Sequence, residues 1–151
     1  MDNKSIAQKP TFAFIAASWV ALGLGLLTYN ISLWNSAMAL NEKGFYLVVL
    51  LLGIYSAISL QKTVRDKLEG IQTTAIYYGV TWFVLVVSLL IMAVGLYNAE
   101  SINLSEKGFY GISFALSLFA VVAVQKNVRD MLPFQEDKPL DEDTKRRIWD
   151  A

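Results

Sequence analysis

The chain has 151 residues with 13 basic and 13 acidic side chains, no His and no Cys, and 55% of it is hydrophobic. A formal charge of zero gives no field to draw in nucleic acid or an acidic substrate. Without Cys there is no disulfide, thiolate nucleophile or Cys-type metal site, and without His the commonest metal ligand and the usual general base near neutral pH are both missing. Most catalytic templates fail at this step, and no cofactor or metal is expected.

The apolar residues are gathered into four blocks free of charge: Pro10 to Asn41, Gly44 to Gln61, Gly70 to Ala99 and Gly108 to Gln125. A water-soluble helix of such length needs a charged face, and none of these has one. They read as four transmembrane helices.

Residues 1–10 form a short polar flank carrying Lys4 and Lys9. The first helix, about Thr11 to Trp34, spans about 36 Å at about 1.5 Å per residue, enough to cross a bilayer core of about 30 Å. Ala37-Met38-Ala39 looks like a signal-peptidase site, but the apolar run before it exceeds the usual h-region of about 7 to 15 residues. Ala13, Ala17, Ala21 and Gly25 recur every fourth residue, a smooth stripe of the kind that packs helices closely in lipid.

The brief loop Asn35 to Asn41 predicts a hairpin between helices one and two. Asn41 suits the N-cap of the second helix, with Leu40 and Phe45 as a hydrophobic staple and Glu42 in the first turn facing the helix dipole. Glu42, Lys43, Gly44, Phe45 and Tyr46 are followed by fourteen uncharged residues, then by Gln61-Lys62-Thr63-Val64-Arg65-Asp66. Lys62 and Asp66, four apart, can meet on one helix face. Lys62 and Arg65 also sit at a helix C-terminus near lipid headgroups.

After a connection at 68–74 the pattern returns. The third helix, about Ala75 to Tyr97, precedes Glu106, Lys107, Gly108, Phe109 and Tyr110. Fourteen uncharged residues and Gln125-Lys126-Asn127-Val128-Arg129-Asp130 follow, all at an offset of 64. Ser105 suits the second N-cap, with Leu104 and Phe109 as its staple, and Lys126 pairs with Asp130 as Lys62 does with Asp66. The upstream match, Leu33-Trp34-Asn35 with Leu96-Tyr97-Asn98, has offset 63, so the second loop holds one extra residue. The repeats therefore cover 11–67 and 75–130. Tyr77, Tyr78 and Trp82 at one edge, and Trp34, Phe45, Tyr46, Tyr97, Phe109 and Tyr110 at the other, fit two aromatic belts. Residues 131–151, with Pro133, Pro139 and a mixed-charge run, read as a largely disordered tail.

The fold expected is an all-α membrane protein, four transmembrane helices as two tandem parallel-repeat helical hairpins. Seven basic residues near one membrane edge, against Lys43 and Lys107 at the other, place both termini in the cytoplasm.

The doubled motif, E-K-G-F-Y followed by Q-K-x-V-R-D, resembles the YiaA/YiaB family of bacterial inner-membrane proteins over about Thr11 to Asp130. The resemblance implies an inner-membrane location and supplies no catalytic residues. No small-molecule substrate is expected, and the partners expected are membrane lipids and either further copies of the chain or another membrane protein. Lys62, Arg65, Asp66, Lys126, Arg129 and Asp130 are the candidate contacts to lipid headgroups or a partner. Glu42, Lys43, Gly44, Glu106, Lys107 and Gly108 mark helix starts, and Ala13, Ala17, Ala21 and Gly25 a packing face. The function expected is a non-catalytic structural or interaction bundle. A small uncoupled channel or transporter subunit formed by oligomerisation is the alternative, since a proton-coupled carrier depends on a charged group inside the membrane and these spans have none.

Overall fold

The computed structural model describes residues 9–136, so the N-terminal flank before Lys9 and the tail from residue 137 lie outside it. Four helices follow in order: α1 (Phe12–Asn35), α2 (Leu40–Leu68), α3 (Ala75–Asn98) and α4 (Leu104–Glu136). Each contains an apolar stretch long and hydrophobic enough to cross a bilayer, and the chain is an all-α membrane protein. The start of α1, the end of α4 and the connection from α2 to α3 share one end of the bundle, here called proximal, where the Lys9 ammonium lies 5.9 Å from the centre of the Phe134 ring. The two short turns after α1 and α3 form the distal end.

Local chemistry fixes the helix boundaries. Thr11 and Thr74 cap α1 and α3, their hydroxyls accepting from the N-H of Phe14 and of Tyr77 at 3.3 Å. At the end of α2, Gly70 takes a φ of 77°, open to glycine at little cost. The Gly70 N-H then donates to Lys67 O and the Ile71 N-H to Asp66 O, closing the helix and turning the chain toward α3. The starts of α2 and α4 fall two residues earlier than Asn41 and Ser105 would have capped them. The α2 cap is Ala39, which has no acceptor, so only Glu42 acts, accepting from the Ala39 N-H at 2.8 Å. At α4 the exchange is reciprocal between Asn103 and Glu106, at 3.0 and 2.8 Å. The staple shifts with the caps: Leu40 and Leu104 are exposed, and Met38 and Ile102, just before the caps, are the residues that reach the core.

Packing between helices departs from the sequence reading in one respect. Neither repeat closes on itself. α1 lies chiefly along α4, and α3 along α2, while α2 and α4 cross at the centre and α1 barely meets α2. The first helix of each repeat is thus packed on the second helix of the other. The contacts show why. Gly25 of α1 sits so close to α4 that a Cβ there would stand 2.6 Å from Ser117 Oγ. Gly53 of α2 gives the Phe114 ring of α4 a similar approach, and Gly95 of α3 admits the Phe45 ring of α2. Removing side chains lets backbones approach where lipid offers no hydrophobic drive to push them together. The small stripe of α1 winds around the helix, so Ala13 and Ala17 are exposed, Ala21 is half-buried and Gly25 is buried against α4.

Three tyrosines occupy the distal half of the core. Tyr29 is fully buried and its hydroxyl donates to Tyr46 O at 2.9 Å. Its ring meets Tyr110 edge-on at 5.5 Å, and Tyr110 stacks on Tyr46 at 6.2 Å. Tyr46 and Tyr110 therefore belong to the interior and not to an interfacial belt. Trp34 and Tyr97, at 69% and 85% exposed, keep the belt position. Several buried serine and threonine hydroxyls are satisfied within their own helices, as Ser18 donates to Phe14 O, Thr63 to Ser59 O and Ser117 to Ser113 O. The α4 helix also runs past Asp130 through Pro133 to Glu136, so its last turns replace the start of the expected tail.

Candidate interaction site at the proximal helix ends

The Q-K-x-V-R-D motifs occupy the last turns of α2 and α4, which face each other across the centre of the bundle. Repeat-equivalent residues pair crosswise. Arg65 donates through Nη1 to Asp130 Oδ1 at 2.6 Å, and Arg129 Nη1 lies 3.2 Å from Asp66 Oδ1. The expected pairs within each helix are also present, Lys126 with Asp130 at 2.7 Å and Lys62 with Asp66 at 4.0 Å. Glu69, just beyond α2, joins the halves: Oε1 accepts from Arg65 Nε and Oε2 from Arg129 Nη2, each at 2.6 Å. Both arginines therefore use their planar fork on two carboxylates at once.

Four cations and three carboxylates form this layer. The arginines and aspartates are largely buried, whereas the ammonium chains of Lys62 and Lys126 are 60% and 59% exposed. A unit pair at about 4 Å is worth about 4 kcal/mol at an effective dielectric of about 20, but lost hydration offsets much of that. The network's main effect is geometric: it fixes how α2 and α4 meet at the membrane edge. The Arg65 hydrogen bond, more than that of Arg129, holds the Glu69 carboxyl below the ordinary carboxylate range. Alongside, the Lys67 ammonium sits 3.6 Å from the centre of the Tyr78 ring.

At the distal end the second motif is spent on the turns. Besides the Glu42 and Glu106 caps, Lys43 Nζ donates to Trp34 O at 2.8 Å and Lys107 Nζ to Tyr97 O at 3.1 Å. Each lysine neutralises the negative end of the helix before it. Gly44 and Gly108 face open space, and nothing in the structure explains why they are glycine. No group of three or more metal-ligating side chains occurs among the described residues.

Two participants escaped the sequence reading. Glu69 has no counterpart in the second repeat, where Pro133 stands at the offset of 64, so a search by repetition passes over it. Asn127 occupies the variable place of the motif. Buried there, it donates through Nδ2 to Ser18 Oγ at 3.0 Å, a link from α4 to α1, and its Oδ1 is enclosed without a partner.

Comparison with known proteins agrees with this duplicated architecture. A family model described as the yiaA/B two helix domain matches residues 14–66 and again residues 77–130. Inner membrane protein YiaA of Escherichia coli (strain K12) is 56% identical over 130 residues, 86% of this chain and 88% of that protein. Uncharacterized membrane protein YubF of Bacillus subtilis (strain 168) is 35% identical over 63 residues, 41% of this chain and 72% of that protein. No solved structure matches the chain.

Proposed function

This chain belongs to the yiaA/B two-helix family of inner-membrane proteins, and from that premise we propose that it works as a non-catalytic bundle that associates with further copies of itself or with another membrane protein. It is an integral, multi-pass protein of the inner membrane. The observation that carries the proposal is the closed interior. Tyr29, Tyr46 and Tyr110 fill the distal axis with rings in mutual contact, and Arg65, Arg129 and their carboxylates tie off the proximal end. A conduction path through one copy meets both obstructions, so an uncoupled pore would have to run between copies.

What remains for recognition is the outer surface. Ala13 and Ala17 leave a shallow face on the proximal half of α1, where the stripe has not yet turned under α4. A second helix can approach such a face closely. Lys9, Lys62, Arg65, Lys67, Lys126 and Arg129 at the proximal end, against Lys43 and Lys107 at the distal end, favour a cytoplasmic proximal end.

The test is cross-linking in native membranes through cysteine introduced at Ala17, with Tyr55, also exposed, as the control position. Ala17→Cys is expected to give a cross-linked dimer or a cross-link to a co-purifying membrane protein, and Tyr55→Cys neither. Single copies from Ala17→Cys, with no partner in the purified material, would remove the proposal.

A further inference from the structure

We propose that the groove between α3 and α4, floored by α2, binds one zwitterionic aminophospholipid. Its acyl chain lies in the apolar depth and its headgroup lies along the charged layer. The inference goes beyond association of the bundle and holds whether or not copies associate.

The groove follows from the exchanged packing. Because α3 rests on α2 and only lightly meets α4, a cleft opens between α3 and α4 in the proximal half, with a cavity of about 610 Å³. That lies within the range of about 300 to 1,000 Å³ for small-molecule sites. In a membrane protein such a cleft opens sideways onto lipid tails.

The order of chemistry along the cleft selects the occupant. Ala57, Leu60, Leu85 and Val122 line the deep part, which admits hydrocarbon. One turn outward lie Gln61 and Lys126. The Gln61 amide oxygen is enclosed and accepts no hydrogen bond, so a polar group stands unpaired at this level. An amide can present either its oxygen or its NH₂ group to a ligand, according to how it is turned. Lys126, bonded once to Asp130, keeps an exposed ammonium with donors to spare. Arg65 comes next, with the Asp130 carboxylate bonded to it and to Lys126 and with Val64 and Leu68 alongside, and the outermost wall is Glu69. Successive turns of α2, each about 5.4 Å along the axis, thus read apolar, amide, cation, anion.

A glycerophospholipid carries its groups in the matching order: acyl chain, ester, phosphate and, in an aminophospholipid, a terminal ammonium. The phosphate meets Lys126 and Arg65, and the ammonium meets Glu69. A lipid ending in a glycerol has nothing to offer the outer carboxylate of Glu69, and one with a second phosphate brings negative charge against it.

The protein is purified in nanodiscs of equimolar phosphatidylethanolamine and phosphatidylglycerol, and the lipids it retains are counted by native mass spectrometry. Wild type is expected to hold one phosphatidylethanolamine in preference. Leu85→Trp, which fills the apolar depth, is expected to reduce that retention about tenfold, and Lys126→Gln to weaken retention of both lipids about tenfold, the scale of one charge-assisted contact. Glu69→Gln is expected to keep a lipid but lose the preference between the two. Circular dichroism identifies any variant that does not fold, and Leu85→Trp, away from the ion network, keeps the test decisive if Glu69→Gln is such a variant. Equal retention by wild type and Leu85→Trp, a preference for phosphatidylglycerol in wild type, a preference unchanged in folded Glu69→Gln, or no retained lipid in wild type would each overturn the assignment.

Discussion

Adding a single methyl at Gly25 tests whether α1 is packed on α4. A Cβ at Gly25 stands 2.6 Å from Ser117 Oγ, 3.0 Å from Ser117 N and 3.2 Å from Ser117 Cα. The tightest contact is with the hydroxyl, which cannot rotate away without losing its bond to Ser113 O, while the backbone contacts ask α1 and α4 to part by only a few tenths of an ångström. Overpacking of this sort costs about 1–3 kcal/mol, and Ala regains about 1 kcal/mol over Gly in helix propensity. Gly25→Ala should therefore destabilise by about 0–2 kcal/mol. Ser117→Gly alone loses about 0.5 kcal/mol of propensity. In the double variant the new methyl enters the space left by the old side chain, and the pair should recover about 1–2 kcal/mol relative to the sum of the singles. Gly23→Ala is the control: no atom lies within 4 Å of a Cβ there, so it should be neutral or mildly stabilising and additive with Ser117→Gly. Unfolding in mixed detergent micelles, followed by circular dichroism, measures each value. Additivity of Gly25→Ala and Ser117→Gly within about 0.5 kcal/mol would refute the α1–α4 pairing and restore the repeat that closes on itself.

Two further outcomes follow from the same geometry. Fragments 1–73 and 74–151 expressed separately should each give an unstable, protease-sensitive product, because α1 and α4 are then on different chains. Co-expression should restore protection, along with a cross-link between Ser18→Cys and Asn127→Cys; protection of 1–73 alone would count against the exchanged packing. Glu69 predicts an acid limb. Its folded carboxyl is held below the ordinary range, so its contribution is complete above the unfolded value of about 4.3 and fades as pH falls through the lower folded value. Glu69→Gln should flatten that part of the stability profile, and an unchanged slope would mean that the carboxylate bridge contributes nothing.

Composition made the four membrane helices legible, since uncharged runs of this length have few other uses. The Lys126 pair with Asp130 and the Lys62 pair with Asp66 were legible from spacing alone. Partner choice was not. Arg65 stands next to Asp66 of the Lys62 pair, as Arg129 stands next to Asp130, and nothing in that spacing says that each arginine reaches the aspartate of the other repeat. Tyr46 was misread for a related reason: a ring near a helix end has the same address in sequence whether it faces headgroups or the core, and its inward place shows only in its contacts with Tyr29 and Tyr110 on other helices. Glu69 was hidden because repetition was the guide and it is the member that does not repeat.

The pairing of α1 with α4 also constrains how the protein is made. Synthesis delivers helices in order, so α2 and α3 can pack as soon as both have entered the bilayer, while α1 waits for the last helix to emerge. Ser18 suits the wait, since its hydroxyl is already bonded to Phe14 O and does not need Asn127 to be tolerated in lipid. The crosswise part of the ion network can close only once Arg129 and Asp130 have arrived on α4, whereas Lys62 with Asp66 and Arg65 with Glu69 are free to pair beforehand.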